Sequence, residues 1–258
     1  MATNLRIISY NCQSFRSKIS IVKQLLEKCD VLFLQETLLT QFNANELDQL
    51  TDNNTIACFT PAIPSTSPNG GRPRGGLTVF WKTSDTINFF PIMFTNRIMG
   101  LKVQTLSHSF VLLNVYLCCD DTSLIALHEF QSNLQDISNF INDEPFDDIL
   151  IIGDFNADPF KGRFFNIFES QMVDHSLSFC DVIQLPASSF TYISQNSSAT
   201  TSWLDHITCS NPQLVSQIKI LYGDALHDHI PIHCEVAIPC INSEINLQDQ
   251  HSEKYHIK

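Results

Sequence analysis

The sequence predicts an α/β fold of the α+β kind, with two packed β-sheets flanked by helices. Two observations point there. Short apolar runs of strand length recur along the chain, and several are continuous, as expected for strands covered on both faces. Only two helical patterns stand out against them. Two packed sheets suit that ratio better than one doubly wound sheet.

In chain order, the strand runs are Leu5 to Tyr10, Val31 to Leu34, Leu77 to Trp81, Phe110 to Tyr116 and Asp148 to Ile152. Phe190 to Ile193, Ile207 to Cys209 and Ile232 to Ile238 follow. The first helical pattern, Phe15 to Lys28, aligns Ile19, Val22, Leu25 and Leu26 on one face, with Ser14 as N-cap. The second, Thr122 to Ile141, aligns Leu124, Leu127, Phe130, Leu134, Ile137 and Ile141, with Asp121 or Thr122 as N-cap. The main loop is Thr60 to Gly76, where four Pro alternate with Gly, Ser and Asn, and it carries Arg72 and Arg74. Periodicity is lost near Ile241, so the chain divides into one domain over residues 1–240 and a polar tail or disordered linker over 241–258. No internal repeat of short period is visible.

The 258 residues, 43% hydrophobic, suffice for a sizeable core. No signal peptide or membrane-length apolar run is read, so a soluble intracellular protein is expected. Nine scattered Cys without a C-x-x-C pair argue for reduced, mostly buried thiols rather than a disulfide framework or structural zinc. A formal charge of −12 argues against a broad basic nucleic-acid surface. It leaves room for an enzyme whose acids gather at a metal site.

Polar residues stand where apolar strands stop. They are Asn11 in SYN, Glu36 in QET, Tyr116 in NVY, Asp154 and Asn156 in GDFN, Asp205 in LDHI, and Asp228 and His229 in DHIP. Each alone has an ordinary reading: a helix-terminal acid, a turn, a core aromatic, a buried histidine. His206 and His233 keep that reading. Together the others suit phosphoryl transfer. Hard carboxylate oxygens hold Mg²⁺, amide and phenol donors neutralise phosphate oxygens, and a His oriented by an Asp manages a proton. The absence of a G-x-x-x-x-G-K-[ST] loop argues against an NTPase.

In that order, from about Leu5 to Ile238, these motifs resemble the endonuclease/exonuclease/phosphatase superfamily, which includes exonuclease III-like abasic-site endonucleases and DNase I. RPRGGLTVFWK, LNVYLCCDD, GDFNADP, SFTYIS and SWLDHI further resemble the endonuclease domain of LINE-type (non-LTR) retrotransposons. The resemblance implies a four-layered α/β sandwich of two mixed sheets, with the active site at one end. It implies Mg²⁺, with Mn²⁺ as a substitute, and a monomer that nicks duplex DNA at the nucleus. It implies a reverse transcriptase as a C-terminal partner in a parent polyprotein, and no membrane.

It assigns Glu36, Asn11 and Asp228 to the metal, and Asp154, Asn156, Asp205, His229 and Tyr116 to catalysis. Thr191 falls near the phosphate, and Arg72 and Arg74 are expected on DNA. Three positions depart from the pattern. Cys119 replaces an Asn that contacts phosphate in exonuclease III-like enzymes, Gln13 replaces a frequent carboxylate, and His227 replaces a common Ser. The rivals are a sphingomyelinase-like or other phosphoesterase and an inactive scaffold. The W-L-D-H stretch lacks the W-C-D-R signature of inositol-polyphosphate 5-phosphatases.

Overall fold

The computed structural model describes residues 2–64, 71–195, 200–224 and 228–239. The polar tail and His227 lie outside them. The strands are β1 (Ala2–Asn11), β2 (Val31–Gln35), β3 (Thr55–Thr60), β4 (Leu77–Lys82), β5 (Asn88–Phe94), β6 (Ile98–Gln104) and β7 (Ser109–Tyr116). They continue with β8 (Asp148–Asp154), β9 (Ser178–Phe179), β10 (Tyr192–Ile193), β11 (Thr201–Ser202), β12 (Asp205–Cys209), β13 (Val215–Ile220) and β14 (Ile232–Pro239). The helices are α1 (Phe15–Lys28), α2 (Leu124–Asp143), α3 (Arg163–Asp174) and α4 (Cys180–Gln184).

Two six-stranded sheets form, in the orders β13-β14-β1-β2-β4-β3 and β5-β6-β7-β8-β12-β9. Each has one parallel pair at its centre, β1 with β2 and β7 with β8, among antiparallel neighbours. A helix joins each parallel pair, α1 in one sheet and α2 in the other. Such a crossover is what a parallel pair requires.

Side-chain alternation explains the continuous apolar runs. In β1, Ile7 packs between the sheets while Ile8 faces α1. In β7, Leu112 packs between the sheets while Val111 and Leu113 face α2 and α3. The result is four layers, α1, sheet, sheet, then α2 with α3. Fully burying each such side chain is worth about 1.5–3 kcal/mol.

Gln35 and Asn114 make a polar link across the apolar interface between the sheets. Gln35 Nε2 donates to Ser9 Oγ (2.9 Å) and to Asn114 Oδ1 of the facing sheet (2.6 Å). Asn114 Nδ2 in turn donates to the Leu34 carbonyl at 3.2 Å.

Ser14 caps α1 as expected, accepting from the Ser17 N–H. The cap of α2 is Ser123, not Asp121 or Thr122; its Oγ accepts from the Ala126 N–H at 3.0 Å. Thr122 has a φ of 68°, outside the backbone range of an N-cap. Leu124, expected on the core face, is 69% exposed at the first position of α2, where Ala126 is the first residue buried against the core. Within the described part of the Thr60 to Gly76 loop, Ile63 and Arg74 form a two-way backbone bridge. The described Cys residues are free, and most are buried.

Candidate active site

Both parallel pairs end at the same end of the sandwich, and the polar strand-end residues meet there. Asn11 pairs with Gln35 at the last register of β1 and β2. Tyr116 pairs with Asp154 across β7 and β8, and Asp205 pairs with Asp154 from the other side. His229 is brought in just before β14 by a bridge to Tyr192.

The backbone is strained where these side chains are presented. Gln13, Glu36 and Asn156 have φ of 52°, 50° and 50°. Positive φ is uncommon in non-glycine residues, and such residues cluster at functional sites. Two glycines are demanded by the same region. At Gly153 a Cβ would lie 2.1 Å from the Val115 carbonyl oxygen, so only glycine lets β8 approach β7 there. At Gly76, with φ 86°, a Cβ would meet Thr37 Oγ1 at 2.8 Å, and the Gly76 carbonyl accepts from the Thr37 N–H beside Glu36.

Asn11 is the hinge of the site. Its Nδ2 donates to Glu36 Oε1 at 2.9 Å and to Asp154 Oδ2 at 2.8 Å. Its own oxygen accepts from the Gln13 N–H at 3.1 Å. Asp154 Oδ1 accepts from the Asn156 N–H at 3.0 Å, and Asn156 Nδ2 donates to the Leu117 carbonyl. His229 is buried. Its Nδ1 meets Asp205 Oδ2 at 3.3 Å, and its Nε2 faces Asp154 Oδ2 at 3.7 Å.

The electrostatics follow from burial. Burial and the nearby Asp205 raise the Asp154 carboxyl well above its usual range, against the pull of His229. Burial works against charge on His229, but Asp154 and Asp205 outweigh it and push it up to about 9. Burial, with the charges of Glu36 and Asp154, raises the Tyr116 phenol, which therefore keeps its proton.

Among the described residues, Asp154, Asp205 and His229 bring their ligand atoms within 4.8 Å of one another, a buried group able to bind a divalent metal. Asp205 is committed to His229 within that group. Glu36 is half-buried and shares the Asn11 amide with buried Asp154, so Glu36 is the oxygen donor a cation from solvent would meet first. Asp154, Asp205 and Glu36 outnumber the one cation among them, His229, and hard oxygen donors held close suit such an ion. Asp228, expected with the metal ligands, has one oxygen on Gln13 Nε2 (3.2 Å) and the other on Gln195 Nε2 (3.0 Å).

Thr191, expected beside the phosphate, is buried. Its hydroxyl accepts from the Leu204 and Asp205 N–H groups, which makes it a support for Asp205. Arg72 and Arg74 are exposed on the strap next to the site. Arg72 donates to the Gln13 carbonyl, and Arg74 lines a cleft of about 710 Å³ with Glu36, Tyr116 and Arg97. The other four Arg are ion-paired, to Asp30, Glu46, Glu129 and Asp120. No acid pairs Arg72 or Arg74 among the described residues.

Sequence reasoning missed Tyr192 and Arg97. The Tyr192 ring stands edge-on to His229, 4.9 Å between centroids, and Arg97 lies over the Tyr116 ring. Neither ends a long apolar strand, so neither carried the signal that marked the others. His206 is indeed a core histidine. Its nitrogens reach Asp181 (2.8 Å) and the Ala157 carbonyl (2.7 Å), inside a ring of Phe155, Phe165, Phe168, Phe179 and Trp203.

The Endonuclease/Exonuclease/phosphatase family matches residues 8–223. No curated protein sequence matches the chain. Solved structures do. The AP endonuclease LMAP from Leishmania major has a TM-score of 0.74 at 16% identity, covering 92% of this chain and 88% of that one. The 3′ phosphatase NExo from Neisseria, bound to a product DNA hairpin, has a TM-score of 0.68 at 16% identity, covering 90% and 99%. The endonuclease domain of TRAS1, a telomere-specific non-LTR retrotransposon, has a TM-score of 0.65 at 11% identity, covering 90% and 98%. At these identities the likeness is one of fold.

Proposed function

The chain belongs to the endonuclease/exonuclease/phosphatase family, and on that footing we propose that it is a Mg²⁺-dependent endonuclease that nicks duplex DNA, leaving 3′-hydroxyl and 5′-phosphate ends. One observation carries the reading. The Asn11 amide joins Glu36 and Asp154 from two different sheets, beside the Asp205–His229 pair, and Arg74, which no acid pairs among the described residues, lines the cleft with Glu36.

Glu36, with Asn11 and Asp228, would hold a divalent cation, which when bound would supply charge neutralisation on the phosphate oxygens. The chain's own groups do the rest. Asp154 accepts the proton of the attacking water, helped by the burial that raises it toward neutrality. His229, oriented by Asp205 through Nδ1, presents Nε2–H to the developing charge. Tyr116 and the free amide hydrogen of Asn156 add neutral donors. Thr191 holds the backbone of Asp205. Arg72 and Arg74 meet flanking phosphates.

A sphingomyelinase-like reading has one observation in its favour: a net charge of −12 beside exposed Leu124 and Ile125 near the cleft. A supercoiled-plasmid assay with Mg²⁺ or chelator, run alongside sphingomyelin hydrolysis, separates the two. Metal-dependent conversion to nicked circles with ligatable ends supports the endonuclease. Lipid hydrolysis without nicking overturns it.

A further inference from the structure

Tyr116 has a partner that the proposed chemistry does not use. Arg97 precedes β6, and its guanidinium carbon lies 4.9 Å from the centroid of the Tyr116 ring. The same residue's carbonyl accepts the Tyr116 N–H at 2.8 Å. Arg97 therefore grips Tyr116 twice, by backbone and by side chain. Its Nε and Nη2 both donate to Glu129 Oε1 of α2, at 3.1 and 2.6 Å.

We propose that Arg97 is a positioning residue for Tyr116, held over the ring by Glu129. A tyrosine ring turns about two torsions, and a cation over its face favours one orientation through the ring quadrupole. The favoured orientation keeps the phenol toward Glu36 and Asp154, whose charges it senses. The alternative is that Arg97 binds substrate phosphate directly, since it lines the same cleft as Arg74. Two features weigh against that. The Arg97 charge is already met by Glu129, and its side chain is only 23% exposed. Arg74 has neither restraint. Glu129 sits on the exposed flank of α2, so this ion pair ties the helix to the site's tyrosine.

The inference rests on the phosphodiesterase reading for its functional meaning, but its geometry is testable alone. The protein is labelled with 3-fluorotyrosine, and Tyr116→Phe assigns the Tyr116 fluorine resonance. Arg97→Ala should move that resonance, leave the other tyrosines in place, and lower kcat on the order of tenfold with KM within about twofold. Arg97→Lys and Glu129→Gln, which preserve more of the packing, should give intermediate shifts. Adding Arg97→Ala to Tyr116→Phe should cost little more than Tyr116→Phe alone, as coupled residues do. An unmoved resonance in all three variants overturns the inference. So does a rise in KM with unchanged kcat, which would make Arg97 a phosphate ligand. If the wild-type protein hydrolyses no phosphodiester, the functional reading fails, while the resonance in substrate-free protein still decides the positioning role.

Discussion

Asn11 Nδ2 lies 2.8 Å from Asp154 Oδ2, although the two residues stand on different sheets and 143 positions apart. Because the same nitrogen also holds Glu36, Asn11→Ala should release two acids at once. Hydrogen bonds to charged groups are worth about 1.5–3 kcal/mol each. Plasmid nicking should fall about 10²-fold, equal to about 2.7 kcal/mol. A loss under threefold would show that this bridge does not set the geometry.

Glu36→Ala should also abolish most nicking while leaving the melting temperature close to wild type, since Glu36 is a half-buried strand-end residue and not a core one. His229→Ala should lose comparable activity but also stability, about 3–5 kcal/mol, because buried Asp154 and Asp205 lose their cation. Near-wild-type turnover of either variant at saturating Mg²⁺ would refute the site assignment.

Replacing Arg72 and Arg74 together by Ala should flatten the salt dependence of DNA binding. Each phosphate that an arginine no longer neutralises reduces the slope of log K against log salt by about 0.9. Binding titrations between 50 and 200 mM salt, about the range where such neutralisation is felt, read this directly. An unchanged slope places the DNA elsewhere.

Stability should fall as pH rises through the titration of His206. Burial opposes its charge, but Asp181 and the Ala157 carbonyl outweigh burial and raise its pKa above the ordinary 6.5. A raised pKa contributes stability that is fully present below 6.5 and is lost as pH climbs through the folded-state value. The melting-temperature gap between wild type and His206→Gln should therefore narrow as pH is raised from 6.5 upward. The comparison cancels the contribution of His229, which both proteins retain. A gap that stays constant with pH would mean that His206 is neutral in the fold.

Intact duplex should be nicked without strong preference for abasic sites. Cys119 is exposed in the cleft beside Tyr116 and offers only a weak thiol donor. Selectivity then comes from groove width and flexible pyrimidine–purine steps. Matched duplexes with and without one abasic site, at equal Mg²⁺ and salt, make the comparison. An abasic preference on the order of a hundredfold, about 2.7 kcal/mol, would favour a repair enzyme.

The site residues were legible because they interrupt apolar strands at one end, where a polar residue has no packing reason to be. Elements without that contrast were not. β5 contains Pro91, which argues against a central strand, and the structure puts β5 at a sheet edge where a missing N–H is tolerated. Phe-rich α3 buries Phe164, Phe165, Phe168 and Met172, and gave no clear helical signal among so many apolar residues. The role of Thr191 was hidden for another reason. Its two acceptor bonds join segments 13 and 14 positions away, through a hairpin that sequence alone does not close.

The Gln35–Asn114 bond has a consequence for how tightly the active centre is toleranced. Greasy faces slide past one another with little resistance, since hydrophobic contact has no direction. An amide bond inside such an interface forms at one offset only. Although Gln35 Oε1 has no partner among the described residues, breaking the Gln35 Nε2–Asn114 bond would leave further polar atoms unmet in the dry interior, which is unfavourable. Gln35 immediately precedes Glu36, and Asn114 stands two residues before Tyr116. The interior amides thus act as a dowel between the halves, and the alignment of the two rows of reactive groups is machined from inside the protein rather than adjusted by its loops.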